Sequence, residues 1–279
     1  MNNTARKIVR IVSVIGFIVC SLALLYPVIS DAWNRYLSSK TIAQYHETVS
    51  GNIKAFDDMF NAALEYNQSM AQAGRKVVTE AEYDTESAYE TLLDPNKDGM
   101  MGYIEIPCID VTEAIYHYST EEVLAKGVGH IHGSSLPVGG KSSHCVLTGH
   151  RGLPTQKFFT DLDKVNIGDR FYLHIVDKTL AYKVVDIQTV LPTDVDAIQI
   201  EDGKDLVTLV TCTPYGVNTH RLLVTGERIP FNESDTGKNG LVTTESHHRV
   251  IDPAVYVFAG FMIFILLMLV ISMVRRHRT

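Results

Sequence analysis

Residues 205–228 read DLVTLVTCTPYGVNTHRLLVTGER, and both the fold and the chemistry turn on them. Val207, Thr208, Leu209 and Val210 are strand-forming residues, closed by Thr211 and Cys212. Pro214, Tyr215, Gly216 and Asn218 supply turn chemistry, and a second strand run, Leu222-Leu223-Val224, follows Arg221. If the two strands pair antiparallel, Cys212 and Arg221 arrive at the same end of a sheet. A thiol beside a fixed positive charge has the surroundings of a nucleophile, because the charge favours the thiolate. On this stretch alone, a buried structural cysteine is the competing reading.

A second stretch, CVLTGHRG at 145–152, tips the balance. An apolar strand run ends in Thr148-Gly149 and presents His150 just past the strand end. One Cys and one His, each at the C-terminal end of a predicted strand, supply the nucleophile and base of a Cys–His pair. These two stretches, with MGYIEIP (101–107), KGVGHIHGSSLPVGG (126–140) and KFFTDLDKVNIGDRF (157–171), resemble the sortase transpeptidases. The likeness runs from Gly102 to Ile229 and is strongest to the class C, or pilus-assembling, sortases.

The resemblance implies a mostly-β fold built on an eight-stranded sortase-type barrel. It also implies roles: Cys212 attacks as thiolate, His150 serves as base and then acid, and Arg221 positions substrate and stabilises developing negative charge. The substrate implied is a Leu-Pro-x-Thr-Gly-like sorting signal on a surface protein or pilin. The acyl-enzyme thioester would be resolved by an amine, for class C typically a pilin lysine. Arg151, beside His150, is a rival for the role of Arg221, but its side chain points the other way if strand geometry persists. Thr211 offers a hydroxyl or backbone group next to the nucleophile. No cofactor or metal is implied.

Two other chemistries compete. His130, His132, His144, Cys145 and His150 form a His/Cys-rich span, but their spacing matches no closed zinc motif and leaves Cys212 and Arg221 unexplained. The run DPNKDG at 94–99 resembles the start of a calcium loop; Glu105 comes too early to complete it, so a turn is expected. Cys108 and Cys145 could pair outside the cell, though nothing in the sequence fixes their separation, and free thiols are the expected state. Cys20 falls in an apolar run as a small helix- or lipid-facing residue.

The net charge of −7 conceals an asymmetry. Arg6, Lys7, Arg10, Arg275, Arg276 and Arg278 flank the chain ends, whereas Asp252 is the one acidic residue outside 31–250. The middle is therefore strongly acidic, which argues against nucleic acid, whose binding needs phosphates neutralised. Runs 8–30 and 254–274 are each about 20 apolar residues, enough to span roughly 30 Å of hydrocarbon. No A-x-A-like cleavage site follows the first, and positive residues lie at the outer end of both. The expected order is a cytoplasmic N-terminus (1–7), a transmembrane helix (8–30) and a helical and lid-region extension (31–99). The catalytic barrel (100–230), a linker (231–253), a second transmembrane helix (254–274) and a cytoplasmic tail (275–279) complete it. The catalytic domain is then extracytoplasmic.

Within that frame, 31 to about 70 carries helix-like spacing of Tyr36, Ile42, Tyr45, Ile53, Phe56 and Phe60. Strands are predicted over 102–106, 111–116, 145–148, 171–175, 180–191, 206–212 and 221–227. Short helices are expected over 120–125, capped by Thr120, and over 156–162. Class C sortases commonly carry a lid anchored by an Asp-Pro-aromatic segment. Upstream of the barrel the one Asp-Pro here is Asp94-Pro95, followed by Asn96. An enzyme without an anchored lid is therefore expected, or one in which 71–93 covers the site differently.

Overall fold

The computed structural model describes residues 3–51, 53–73, 87–153 and 156–231. The chain divides into two units, Met1–Tyr26 with Asn239–Thr279, and Pro27–Lys238. Helix α1 (Asn3–Ser50) includes a stretch long and apolar enough, by length and composition, to cross a membrane. The second apolar run, 254–274, lies outside the described residues. Helix α2 (Ile53–Ala73) follows a break at Gly51, and α3 (Ser87–Thr91) is a single short turn.

Eight strands close into a barrel: β1 (Met100–Ile106), β2 (Val111–Tyr116), β3 (Val128–His130), β4 (Ser143–Thr148), β5 (Arg170–Ile175), β6 (Lys178–Val190), β7 (Asp205–Thr213) and β8 (His220–Ile229). Their order around the barrel is β1-β2-β3-β4-β7-β8-β6-β5. The β2–β3 and β4–β7 pairs are parallel, and the others antiparallel. Closure leaves no sheet edge unpaired. Period-two alternation sends Cys145, Leu147, Val207, Leu209, Leu222 and Val224 into the main core. The residues between them, Val146, Val210 and Leu223, form a separate apolar cluster with Ile198 on the outer face. Fully buried Phe159, Phe171 and Tyr182 each contribute roughly 1.5–3 kcal/mol through removal from water.

The second half of α1 packs along the barrel wall. The Tyr45 hydroxyl donates to the Met101 carbonyl (2.9 Å) and accepts from the Val176 amide (2.8 Å), which joins α1, β1 and the β5–β6 turn. Ser38 donates to Glu113 (3.1 Å), whose carboxyl is pushed up to about 7 by burial. Asn67 of α2 takes three backbone partners: its amide donates to the Leu136 and Gly139 carbonyls and its oxygen accepts from the Leu136 amide.

Two sequence expectations need correction. The strand β3 was not predicted; Gly127 and Gly129 interrupt its pattern, and three residues are too few to show alternation. The helix expected over 156–162 is a set of turns followed by a 3-10 turn at Leu162–Lys164. Phe158 has φ +32° and both Phe158 and Phe159 are buried, which adjacent helix positions facing one core do not readily allow. The 120–125 helix spans Glu121–Leu124, and Thr120 caps it as expected by accepting from the Val123 amide (3.3 Å). DPNKDG is a turn: Asp94 accepts from the amides of Asp98 and Gly99, both at 3.0 Å.

Candidate active site

The register of the barrel brings the three singled-out residues to one end. Cys212 pairs directly with Arg221 across β7 and β8. In the parallel β4–β7 ladder the last pair is Thr148 with Val210, and the Gly149 amide extends it by donating to the Val210 carbonyl (3.1 Å). If the register continued for two more residues, His150 would stand beside Cys212. All three are half-buried. The Arg221 guanidinium donates to the His220 carbonyl (3.2 Å), and His150 Nε2 lies 3.8 Å from an exposed Glu121 carboxylate on α4 (Glu121–Leu124). Such an exposed contact contributes little to stability.

Alternation decides which way these side chains face. Thr211 and Thr213 share parity with the core-facing Val207 and Leu209, so Cys212 faces outward with Val210. The same parity turns Gly149 and Arg151 inward and His150 outward. Hydrogen bonds lock the inner side: the Thr211 hydroxyl donates to the Gly149 carbonyl (2.8 Å), and Arg151 Nη1 donates to the Thr213 hydroxyl (3.1 Å). Arg151 Nη2 then reaches Asp163 at 2.5 Å. Arg151 thus turns away from Arg221's side, as strand alternation requires.

The glycines around His150 answer to aromatic rings. A Cβ on Gly149 would come within 2.9 Å of the Phe159 ring, and one on Gly152, at φ +84°, within 3.0 Å of Tyr215. Phe159 also donates its amide to the His150 carbonyl (3.2 Å), which fixes the backbone that carries the imidazole. Outside the barrel wall, Val146, Ile198, Val210 and Leu223 are buried against one another, with Ile131, Val190, Val195 and Ala197 half-buried around them. Val210 and Leu223 lie two residues from Cys212 and Arg221 on the same strands.

Two other histidines of the His/Cys-rich span, His130 and His144, are committed to the protein. His130 Nε2 donates to the Ser135 carbonyl (2.9 Å), so Nδ1 accepts from the Tyr89 hydroxyl at 2.8 Å. Burial pushes this imidazole down to about 3. His144 donates from Nδ1 to the Gln199 carbonyl (2.7 Å) and meets Thr208 through Nε2 (2.7 Å). Cys145 is buried in the core, and its thiol is held well above the usual range by desolvation. Cys108 is free and exposed, and Cys212 is free.

Sequence reasoning missed three features at this end: the Arg151–Asp163–Thr213 network, Tyr215 over Gly152, and Glu121 beside His150. Only the alternation around His150 could have pointed to the first. Among residues 87–93, Tyr89 is committed to His130; the central part of the expected lid region, 74–86, lies outside the described residues.

A profile of the sortase domain matches residues 104–229. The chain is 29% identical to sortase A of Staphylococcus aureus over 157 residues, 55% of this chain and 74% of that protein. Among solved structures, sortase C1 of Streptococcus agalactiae is 43% identical, with a TM-score of 0.66, and covers 69% of this chain and 100% of its own. This chain belongs to the sortase family. Sortase C of Streptococcus pneumoniae is similar as well, at 40% identity and a TM-score of 0.62, over 69% of this chain and 97% of that one. Sortases are transpeptidases with a cysteine nucleophile, and the match covers the barrel described above. The sortase fold and the closed eight-stranded barrel therefore agree.

Proposed function

We propose that this sortase is a membrane-anchored enzyme whose nucleophile is Cys212, whose base is His150 and whose oxyanion-stabilising cation is Arg221. The observation that carries the assignment is the register: Cys212 sits opposite Arg221 and, by extension of the β4–β7 ladder, beside His150. In this reading the Cys212 thiolate attacks the Thr–Gly carbonyl of an LPXTG-like signal. Arg221 steadies the developing oxyanion, and His150 gives the leaving amine its proton. An amine then attacks the thioester and releases the joined product.

The acceptor we propose is a lysine of a pilin subunit, so that the enzyme polymerises pili. Support comes from the 43% identity to a sortase C1, and from the S. pneumoniae relative, whose structure concerns pilin substrate specificity. Attachment of surface proteins to cell-wall peptide amines is the second reading, and the similarity to sortase A favours it. A tethered protease that hands its acyl group to water is a third, and it would ignore added amine. Two anchors, 8–30 and 254–274, with both termini cytoplasmic, complete the proposal; the flanking arginines and lysine support it. The deciding experiment incubates the full-length protein with an LPXTG peptide and either a pilin domain or a wall-peptide amine. Mass spectrometry should find the acyl group on Cys212 and its transfer to the pilin lysine. An adduct on any other residue, or transfer only to water, sinks the assignment.

A further inference from the structure

The inner side of the active-site end holds a charged group that the proposed chemistry does not use. The Arg151 side chain is only 8% exposed, yet it is the residue after His150. It donates to the Thr213 hydroxyl, one residue past Cys212, and to Asp163 at the 3-10 turn of Leu162–Lys164. Its Nε is buried with no hydrogen-bond partner among the described residues. Stability alone does not call for a charge here, since burying a guanidinium costs desolvation that its half-exposed partner Asp163 repays only in part. An incompletely satisfied guanidinium is kept where its geometry is needed.

That geometry links the two strand ends. Thr211 ties β7 to the Gly149 carbonyl just before Cys212, and Arg151 ties it again just after, at Thr213. Cys212 and His150 therefore emerge between two inward-facing crosslinks, one backbone-directed and one ionic. Phe159 holds the His150 carbonyl from the same loop that presents Asp163. A sulfur and an imidazole must stand in a narrow range of separation and angle, and a misplacement of about 1 Å can cost 10²-fold in rate.

We propose that Arg151 is a positioning residue: held by Asp163, it clamps Thr213 from inside the barrel and so sets Cys212 relative to His150. This rests on the assignment of Cys212 and His150 above. Asp163 is 47% exposed, so Arg151→Met leaves no buried charge behind.

The test uses full-length protein with an LPXTG peptide and a lysine-bearing acceptor. In R151M, kcat is expected to fall about 10- to 100-fold with KM within about twofold and the melting temperature nearly unchanged. The pH profile of Cys212 alkylation by iodoacetamide should also change shape, a readout independent of turnover. R151K, with a point charge in place of the fork, should recover part of the loss. T213V removes the acceptor without changing shape, and the R151M/T213V double variant should be no slower than R151M alone. Full kcat in R151M and T213V, strictly additive losses, or losses that follow the melting temperature overturn the proposal. Acyl-enzyme trapping on the unmodified protein reads the parent assignment separately. No adduct on Cys212 removes that assignment and the clamp with it, whereas an adduct forming at the unmodified rate in R151M removes the clamp alone.

Discussion

Each residue type of the proposed pair has a buried double on a neighbouring strand. Cys212 and His150 stand at strand ends and face outward; Cys145 on β4 and His130 on β3 face the core. The inner cysteine is pushed well up by burial, and the inner histidine is pushed down to about 3, so both stay neutral. What separates the pairs is one residue of strand parity and a few residues of strand length. In the proposed assignment, reactivity is a property of position: a thiol or imidazole would acquire it where a strand ends beside solvent and a cation.

The strongest way to break this contrast is to remove the outer pair. C212A and H150A should each lower turnover by about 10⁴-fold or more, measured by peptide cleavage, and C212A should form no thioester. Next comes the cation: R221A should cost about 10²–10³ in kcat, and R221K should fall between it and the unmodified enzyme. The inner pair should move stability and leave turnover alone. Y89F strips the hydroxyl that donates to His130 Nδ1 and should destabilise by about 1–3 kcal/mol in denaturant unfolding.

His130 also predicts a pH limb. Its folded-state value, about 3, lies below the ordinary 6.5, so the unfolded chain takes up the proton first as pH falls. Stability is then complete above about 6.5 and is lost between there and about 3, at up to about 1.4 kcal/mol per pH unit for this one group. H130Q should flatten that limb in acid-unfolding curves. The smallest effect is expected from Glu121, almost fully exposed at 3.8 Å from His150. E121Q should change turnover by about twofold or less and vanish into high salt; a larger loss would give the outer imidazole a carboxylate partner that the inner one lacks.

Much of this was legible in residues. Val111–Tyr116 was predicted to its ends, and both β7 and β8 within about two residues, because branched apolar runs there are bounded by Gly, Pro and Asp. Cys212 and Arg221 were expected at one sheet end and are cross-strand partners. The short strand β3 escaped because Gly127 and Gly129 carry no side-chain pattern; a Cβ on Gly129 would strike the Tyr118 carbonyl at 2.5 Å. Tyr89 escaped too. Its place among His117, His130 and His132 comes from three separate segments of chain, which no local window contains. Arg151 reads as a possible rival of Arg221 that alternation turns the other way, and the Thr213 contact shows where its side chain goes.

The parallel pairing of β4 with β7 carries a consequence for how the molecule comes into being. Thr213 and Arg151 touch across 62 positions of chain, and all of β5 and β6 must be made before β7 can pair with β4. A nascent polypeptide that has emerged only as far as β6 owns an imidazole and no sulfur to answer it. Long-range closure of this kind is slow compared with local folding. With Cys212 and His150 in the roles proposed, the scissors would be assembled last, after the handle, and a half-made chain would have nothing with which to cut.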